Sequence, residues 1–98
     1  MKRFKNKVCI ITGGASGIGA QTAEMFVEQG GKVLIGDVDD TTGRKLQDKI
    51  IKKHNKDTAI YFHLDVSNPD HCQKAVEKTI EEFGGLHCVL NSAVKMAP

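Results

Sequence analysis

The stretch Thr12-Gly13-Gly14-Ala15-Ser16-Gly17-Ile18-Gly19 constrains this chain more than any other part of it. It follows the apolar run Val8-Cys9-Ile10-Ile11 and leads straight into a helical pattern, so a strand, a tight turn and a helix start stand in succession. Exposed backbone N–H groups, the positive end of a helix dipole and the lack of side chains together make a phosphate-sized anion site. The spacing narrows its kind. Gly19 is followed by Ala20 and Gln21 where a P-loop needs lysine and a hydroxyl residue, so no lysine reaches toward a terminal phosphate. Glycines at 13, 17 and 19 give G-x-x-x-G-x-G, a turn related to the G-x-G-x-x-G fingerprint but with a longer first gap.

The rest of the chain alternates. Residues 7 to 12 read as a strand buried on both faces, and a helix is predicted over 17 to 29, with Ile18, Ala23, Phe26 and Val27 on its apolar face. The pair Gly30-Gly31 stops it. A second strand covers 32 to 37 and a second helix about 42 to 54, burying Leu46 and Ile50. The third strand spans about 58 to 64; Ser67-Asn68-Pro69-Asp70 is a helix start. The third helix has the clearest period, with Cys72, Ala75, Val76, Thr79, Ile80 and Phe83 on one face, and ends at Gly84-Gly85. Residues 86 to 90 make a fourth strand. Short connections between alternating strands and helices argue for a parallel α/β sheet with right-handed crossovers, expected order 3-2-1-4, in one domain over residues 1–98. Ligands of such sheets bind beyond the carboxyl ends of the strands at the switch point, here between the first and fourth.

An acid closes the second strand. Asp37 lies 18 positions beyond Gly19, near the roughly 20 expected for a carboxylate that accepts both hydroxyls of an adenosine ribose. That favours NAD over NADP: a 2′-phosphate beside Asp37 would meet a like charge, at a cost of up to about 4 kcal/mol for a charge pair 4 Å apart at an effective dielectric of 20. Ala15, Ser16 and Val38 offer no compensating cation. Asp65, after the third strand, is placed for the adenine edge, and Asn91, after the fourth, lines the same crevice. Capping a helix or turn explains Asp37, Asp65 or Asn91 singly, so the functional reading rests on finding them together.

With these residues in view, the chain resembles the short-chain dehydrogenases/reductases in their NAD-dependent form. The signature T-G-x-x-x-G-x-G is matched by Thr12, Gly13, Gly17 and Gly19, the acid after strand two by Asp37, and the Asp-Val step after strand three by Asp65 and Val66. The N-N-A-G turn after strand four is matched by Asn91 and Ala93, while Ser92 and Val94 depart from it. The resemblance implies a three-layer Rossmann-type fold. It also implies a dinucleotide site formed by Thr12, Gly13, Ser16, Gly17, Ile18, Gly19, Asp37, Asp65, Val66, Asn91 and Ala93, and hydride exchange between a nicotinamide and an alcohol or ketone.

The family's catalytic serine and its Y-x-x-x-K pair have no match here. The one tyrosine, Tyr61, has Asp65 four positions on, and it reads as a packing residue; Ser92 and Lys95 lack a tyrosine partner. The expectation is therefore a cofactor-binding half without catalytic residues, with a fourth-strand edge open to self-association. Two other readings stay open: a fragment that binds nucleotide or partners without turnover, and an S-adenosylmethionine-binding fold. The latter usually carries an acid just before its glycines, where this chain has Ile11-Thr12.

Composition excludes several classes. The net charge of +2, with bases spread among acids, announces neither a nucleic-acid nor a membrane surface, and no apolar run approaches the roughly 20 residues of a membrane helix. A cytoplasmic location is expected. The cysteines at 9, 72 and 88 form no C-x-x-C pair and sit in apolar patterns, which suits buried reduced thiols better than a disulfide or zinc site. His54, His63, His71 and His87 show no ligand spacing and read as surface or strand-end residues.

Overall fold

The computed structural model describes residues 2–92 and has the elements β1 (Val8–Thr12), α1 (Gly17–Glu28), β2 (Lys32–Asp37), α2 (Asp40–Lys53), β3 (Ala59–His63), α3 (Pro69–Phe83) and β4 (Cys88–Asn91). The four strands form one parallel sheet in the order β3-β2-β1-β4. Alternating side chains of the central strands divide the core between two faces. On one, Cys9, Ile11, Val33 and Ile35 pack with Ala23, Phe26 and Val27 of α1 and Leu46 and Ile50 of α2. On the other, Ile10 and Leu34 meet Leu64 and Ala75, with Cys72 and Val76 of α3 against them. Three layers result, because an unbroken apolar strand has to be covered on both sides.

Helix ends follow their local chemistry. Asp39 caps α2, accepting from the Thr42 N–H at 3.1 Å and the Thr42 hydroxyl at 2.7 Å, and so starts the helix two residues before the expected Thr42. Asn68 caps α3 through the N–H groups of Asp70 and His71, with Pro69 in the first turn and Gly84 at φ 82° closing the other end. The helix α2 lies so close to β3 that a Cβ on Gly43 would overlap the Tyr61 ring.

Three placements correct the sequence reading. Ile18, expected on the buried face of α1, is 77% exposed, since the first turn of the helix overhangs the strand ends rather than the sheet. Ile80 is half-exposed because α3 packs over β1 and β2, which leaves that flank uncovered. Of the three cysteines only Cys9 is buried; Cys72 is half-buried and Cys88 exposed on the edge strand β4. Val89 and Leu90 are exposed there too, and this edge is the surface the expected self-association would use. The fourth strand also starts at Cys88 rather than 86, after His87 has bonded to both sides of Val8, its N–H to the carbonyl and its Nδ1 to the N–H. No helix among the described residues is long and apolar enough to cross a membrane.

Burial, and then the neighbouring Cys88 thiol, push the Cys9 thiol up to about 12. Cys9 should therefore stay protonated and unreactive. Treating the folded chain with iodoacetamide at pH 8 is expected to label Cys88 and Cys72 while sparing Cys9, as read by peptide mass spectrometry; labelling of Cys9 as fast as Cys88 would overturn that packing.

Candidate functional site

The strand ends converge on one edge of the sheet. Gly13, at φ 66°, turns the chain out of β1, and its N–H donates to the Gly36 carbonyl at 2.7 Å, as the Gly14 N–H does at 3.2 Å. The turn is thereby fastened to the end of β2. Gly17 opens α1 at φ 59°, and a Cβ placed there would meet nothing within 4 Å, so the space over the loop is open. Gly19 is the opposite case: its Cβ would overlap the Gly13 carbonyl oxygen and lie 2.6 Å from Ser92 Oγ and 2.8 Å from Gly14 Cα. One glycine leaves room for a ligand and the other lets the loop fold onto itself.

The start of α1 differs from those of the other two helices. Ser16 stands at the N-cap with an extended backbone and makes no side-chain cap, and the first turn carries no acid. Helices α2 and α3 each have a capping side chain and an acid in the first turn. An uncapped start with positive dipole and no acid in its own first turn suits an external anion, and Ser16 and Ile18 stand exposed at its mouth.

Asp37 ties the second strand to the loop. Its Oδ2 accepts from the Ala15 N–H at 3.0 Å, and its Oδ1 accepts from the N–H groups of Val38 at 2.7 Å and Asp39 at 3.1 Å. The carboxylate so placed both orders the glycine turn and closes β2. Asp65 organises the turn after β3, its Oδ1 accepting from the Ser67 N–H at 2.9 Å and the Ser67 hydroxyl at 2.7 Å; Val66 beside it is exposed. At the end of β4, Thr12 Oγ donates to Asn91 Oδ1 at 2.8 Å across the paired strands. Ser92 secures the same corner: its hydroxyl reaches the carbonyls of Thr12 at 2.6 Å and Gly13 at 3.1 Å, and its N–H donates to Thr12 O at 2.9 Å. The departure from the family turn at 92 thus still closes onto Thr12. Ala93 lies outside the described residues, as do Val94 and Lys95.

Several residues here escaped the sequence reading. Gly36 supplies the carbonyl that fastens the loop, and a glycine inside a strand just before the acid was the available signal. Tyr61 packs as expected, but its hydroxyl also reaches the Asp37 carbonyl at 2.7 Å and Asp40 Oδ1 at 2.5 Å. His63 Nδ1 lies 2.7 Å from that same Asp40 oxygen. Hydrogen bonds from Tyr61 and then His63 hold the Asp40 carboxyl below its ordinary value, so this contribution to stability is present above the ordinary carboxylate range and fades as pH falls through it. Burial and the neighbouring Asp40 push the Tyr61 phenol up, keeping it protonated as a donor. At the opposite end of the sheet a groove of about 360 Å³ is lined by Lys2, Gly30, Lys32, Lys53, His54 and Thr58, none of which is a strand-end group of the site.

The geometry therefore pairs an anion-ready glycine turn with an acid at the end of the neighbouring strand. Residues 7–97 match the family model described as short chain dehydrogenase. The chain belongs to the short-chain dehydrogenase family. It is 47% identical over 92 residues to tropinone reductase-like 2 of Erythroxylum coca, which covers 94% of this chain and 32% of that protein. Among solved structures it resembles a short-chain dehydrogenase/reductase of Burkholderia phymatum in complex with NAD, at 31% identity and TM-score 0.83, covering 91% of this chain and 31% of the other. The C-domain of a bacterial malonyl-CoA reductase with NADP superposes at TM-score 0.91 and 26% identity, covering 96% of this chain and 16% of that one. The chain spans about a third of the length of the curated relatives it matches. What it carries is the dinucleotide-binding part of the short-chain dehydrogenase fold, with the glycine turn leaving β1 between its neighbours β2 and β4.

Proposed function

We propose that this chain binds NAD in preference to NADP, as the cofactor half of an enzyme that moves hydride between a nicotinamide and an alcohol or ketone. The observation that carries the preference is the Asp37 carboxylate at the end of β2, held against the glycine turn by the Ala15 N–H. In this reading the N–H groups at the start of α1, with Gly13, Ser16, Gly17, Ile18 and Gly19, take the pyrophosphate, and the open space over Gly17 is where it lies. Asp37 accepts the two adenosine ribose hydroxyls and repels a 2′-phosphate. Asp65 and Val66 border the adenine, while Thr12, Asn91 and Ala93 line the path toward the nicotinamide. The bound nicotinamide ring supplies the hydride acceptor or donor. The chain's own part is to bind, orient and discriminate; it offers no serine with a Y-x-x-x-K pair, and we assign it no catalytic residue.

A thermal-shift titration of the purified chain with NAD, NADP and S-adenosylmethionine tests this. A ligand at a hundredfold its Kd adds about 2.7 kcal/mol, which raises the midpoint of a domain this small by roughly 10 °C or more. NAD is expected to give the largest rise at equal concentration. An equal or larger rise with NADP would defeat the preference, and a rise with S-adenosylmethionine alone would defeat the nicotinamide reading.

A further inference from the structure

The adenosine end of the site is underlaid by a line of polar side chains that the cofactor reading does not itself use. From the Asp37 carbonyl it runs to the Tyr61 hydroxyl at 2.7 Å, to Asp40 Oδ1 at 2.5 Å, and from that oxygen to His63 Nδ1 at 2.7 Å. The His63 ring meets the His71 ring edge-on, with centroids 5.7 Å apart and planes at 75°. His71 Nδ1 then accepts from the Asp65 N–H at 3.1 Å. The two acids assigned to the ribose and the adenine are thus joined through side chains of one strand, β3, and two helices, α2 and α3.

The two histidines are held in opposite senses. Facing an ionised carboxylate, His63 Nδ1 has to carry its hydrogen and donate; facing a backbone N–H, His71 Nδ1 has to be bare and accept. Adding a proton to His63 keeps its bond to Asp40. Adding one to His71 sets two donors against each other at the Asp65 N–H, and one of them must turn away. The turn cannot absorb this locally, because Asp65 also accepts from Ser67 through its carboxylate and from the Asn68 N–H through its carbonyl at 2.9 Å. Moving its N–H moves the carboxylate as well.

We propose that His71 is a positioning residue for the adenosine end of the site: its unprotonated Nδ1 holds the turn bearing Asp65 and Val66, and cofactor affinity falls when the imidazole takes up a proton. This rests on the dinucleotide reading above. The groups facing His71 are His63 from β3, with Asp40 of α2 behind it, and Asp65 from the turn; on its own helix Asp70 precedes it and Lys74 follows by about one turn. A proton on His71 would remove the acceptor that the Asp65 N–H now uses, and the turn that carries the Asp65 carboxylate would shift with it.

The test is titration of the 98-residue chain with NAD by calorimetry from pH 8 to 5.5, alongside ¹⁵N NMR of the Asp65 amide. Affinity is expected to weaken about five- to tenfold over this range, the worth of one backbone hydrogen bond, with the Asp65 amide shift moving at the midpoint of the His71 ring. His71→Asn places a non-titrating acceptor near the position of Nδ1; it should keep the pH 8 affinity within about twofold and flatten the pH profile. His63→Asn should leave the Asp65 titration in place. An Asp65 amide that does not follow the His71 ring, or a His71→Asn chain with the original pH profile, overturns the proposal. NAD bound at pH 8 with an affinity flat to pH 5.5 overturns only the role of His71, whereas no NAD binding at pH 8 overturns the dinucleotide reading and this proposal with it.

Discussion

Gly19→Ala is expected to lower stability by about 2–3 kcal/mol and to remove the NAD-dependent rise in melting temperature. The added Cβ would overlap the Gly13 carbonyl oxygen and stand 2.8 Å from Gly14 Cα, both of which are backbone. Its third neighbour, Ser92 Oγ, is held by the carbonyls of Thr12 and Gly13 and has no free direction to swing. Overpacking of this kind typically costs 1–3 kcal/mol, roughly 10 °C in a domain of this size. Gly17→Ala is the informative contrast. Its Cβ would meet nothing within 4 Å, so the cost is only the strain of φ 59°, about 1–2 kcal/mol, while the methyl would occupy the space assigned to the pyrophosphate. Melting curves of both variants with and without NAD decide the matter. A Gly19→Ala chain that melts and binds like the parent would refute the close approach, and a Gly17→Ala chain that binds NAD normally would refute the place given to the phosphates.

Asp37→Asn is expected to weaken NAD by about 10- to 100-fold and to collapse the discrimination against NADP. The carboxylate accepts three N–H bonds, and in the proposed complex it adds those of the ribose; hydrogen bonds to a charged group are worth about 1.5–3 kcal/mol. Asparagine keeps one carbonyl oxygen for the turn but removes the charge that a 2′-phosphate would meet. Calorimetric titration of both cofactors into parent and variant gives the ratio directly. A folded variant with the parent's NAD-to-NADP ratio would mean that Asp37 serves the turn alone, and the preference would have to come from elsewhere.

These two residues show how legible the site was. The glycine turn and Asp37 stood out because each is a local device: a turn needs residues without side chains, and a strand-end acid can be counted from the last glycine. The parallel order was legible too, since an unbroken apolar run must be covered on both faces and the crossovers have one hand. What stayed hidden depends on register between distant segments. Pairing of Asp37 with His63, and of Ile35 with Tyr61, brings a packing tyrosine and an ordinary histidine beneath the acid that closes β2. Asp40 looks like a helix-start acid, and only the fold reveals that it collects Tyr61 and His63. Ile18 misled because helical periodicity gives the direction of a side chain around its axis, but not how far along the sheet the helix begins.

The sequence by itself determined the element order, the parallel sheet, the phosphate-ready turn from Gly13 to Gly19 and the acid that answers it, since each follows from backbone chemistry over a few adjacent residues. The tertiary structure alone decided how the turn is fastened, through Gly36, Ser92 and Asp37, and how Tyr61, Asp40, His63 and His71 join the two acids. Those contacts span separations of up to 80 residues, as between Ser92 and Thr12, and exist only once strands are set in register by the burial of their apolar faces.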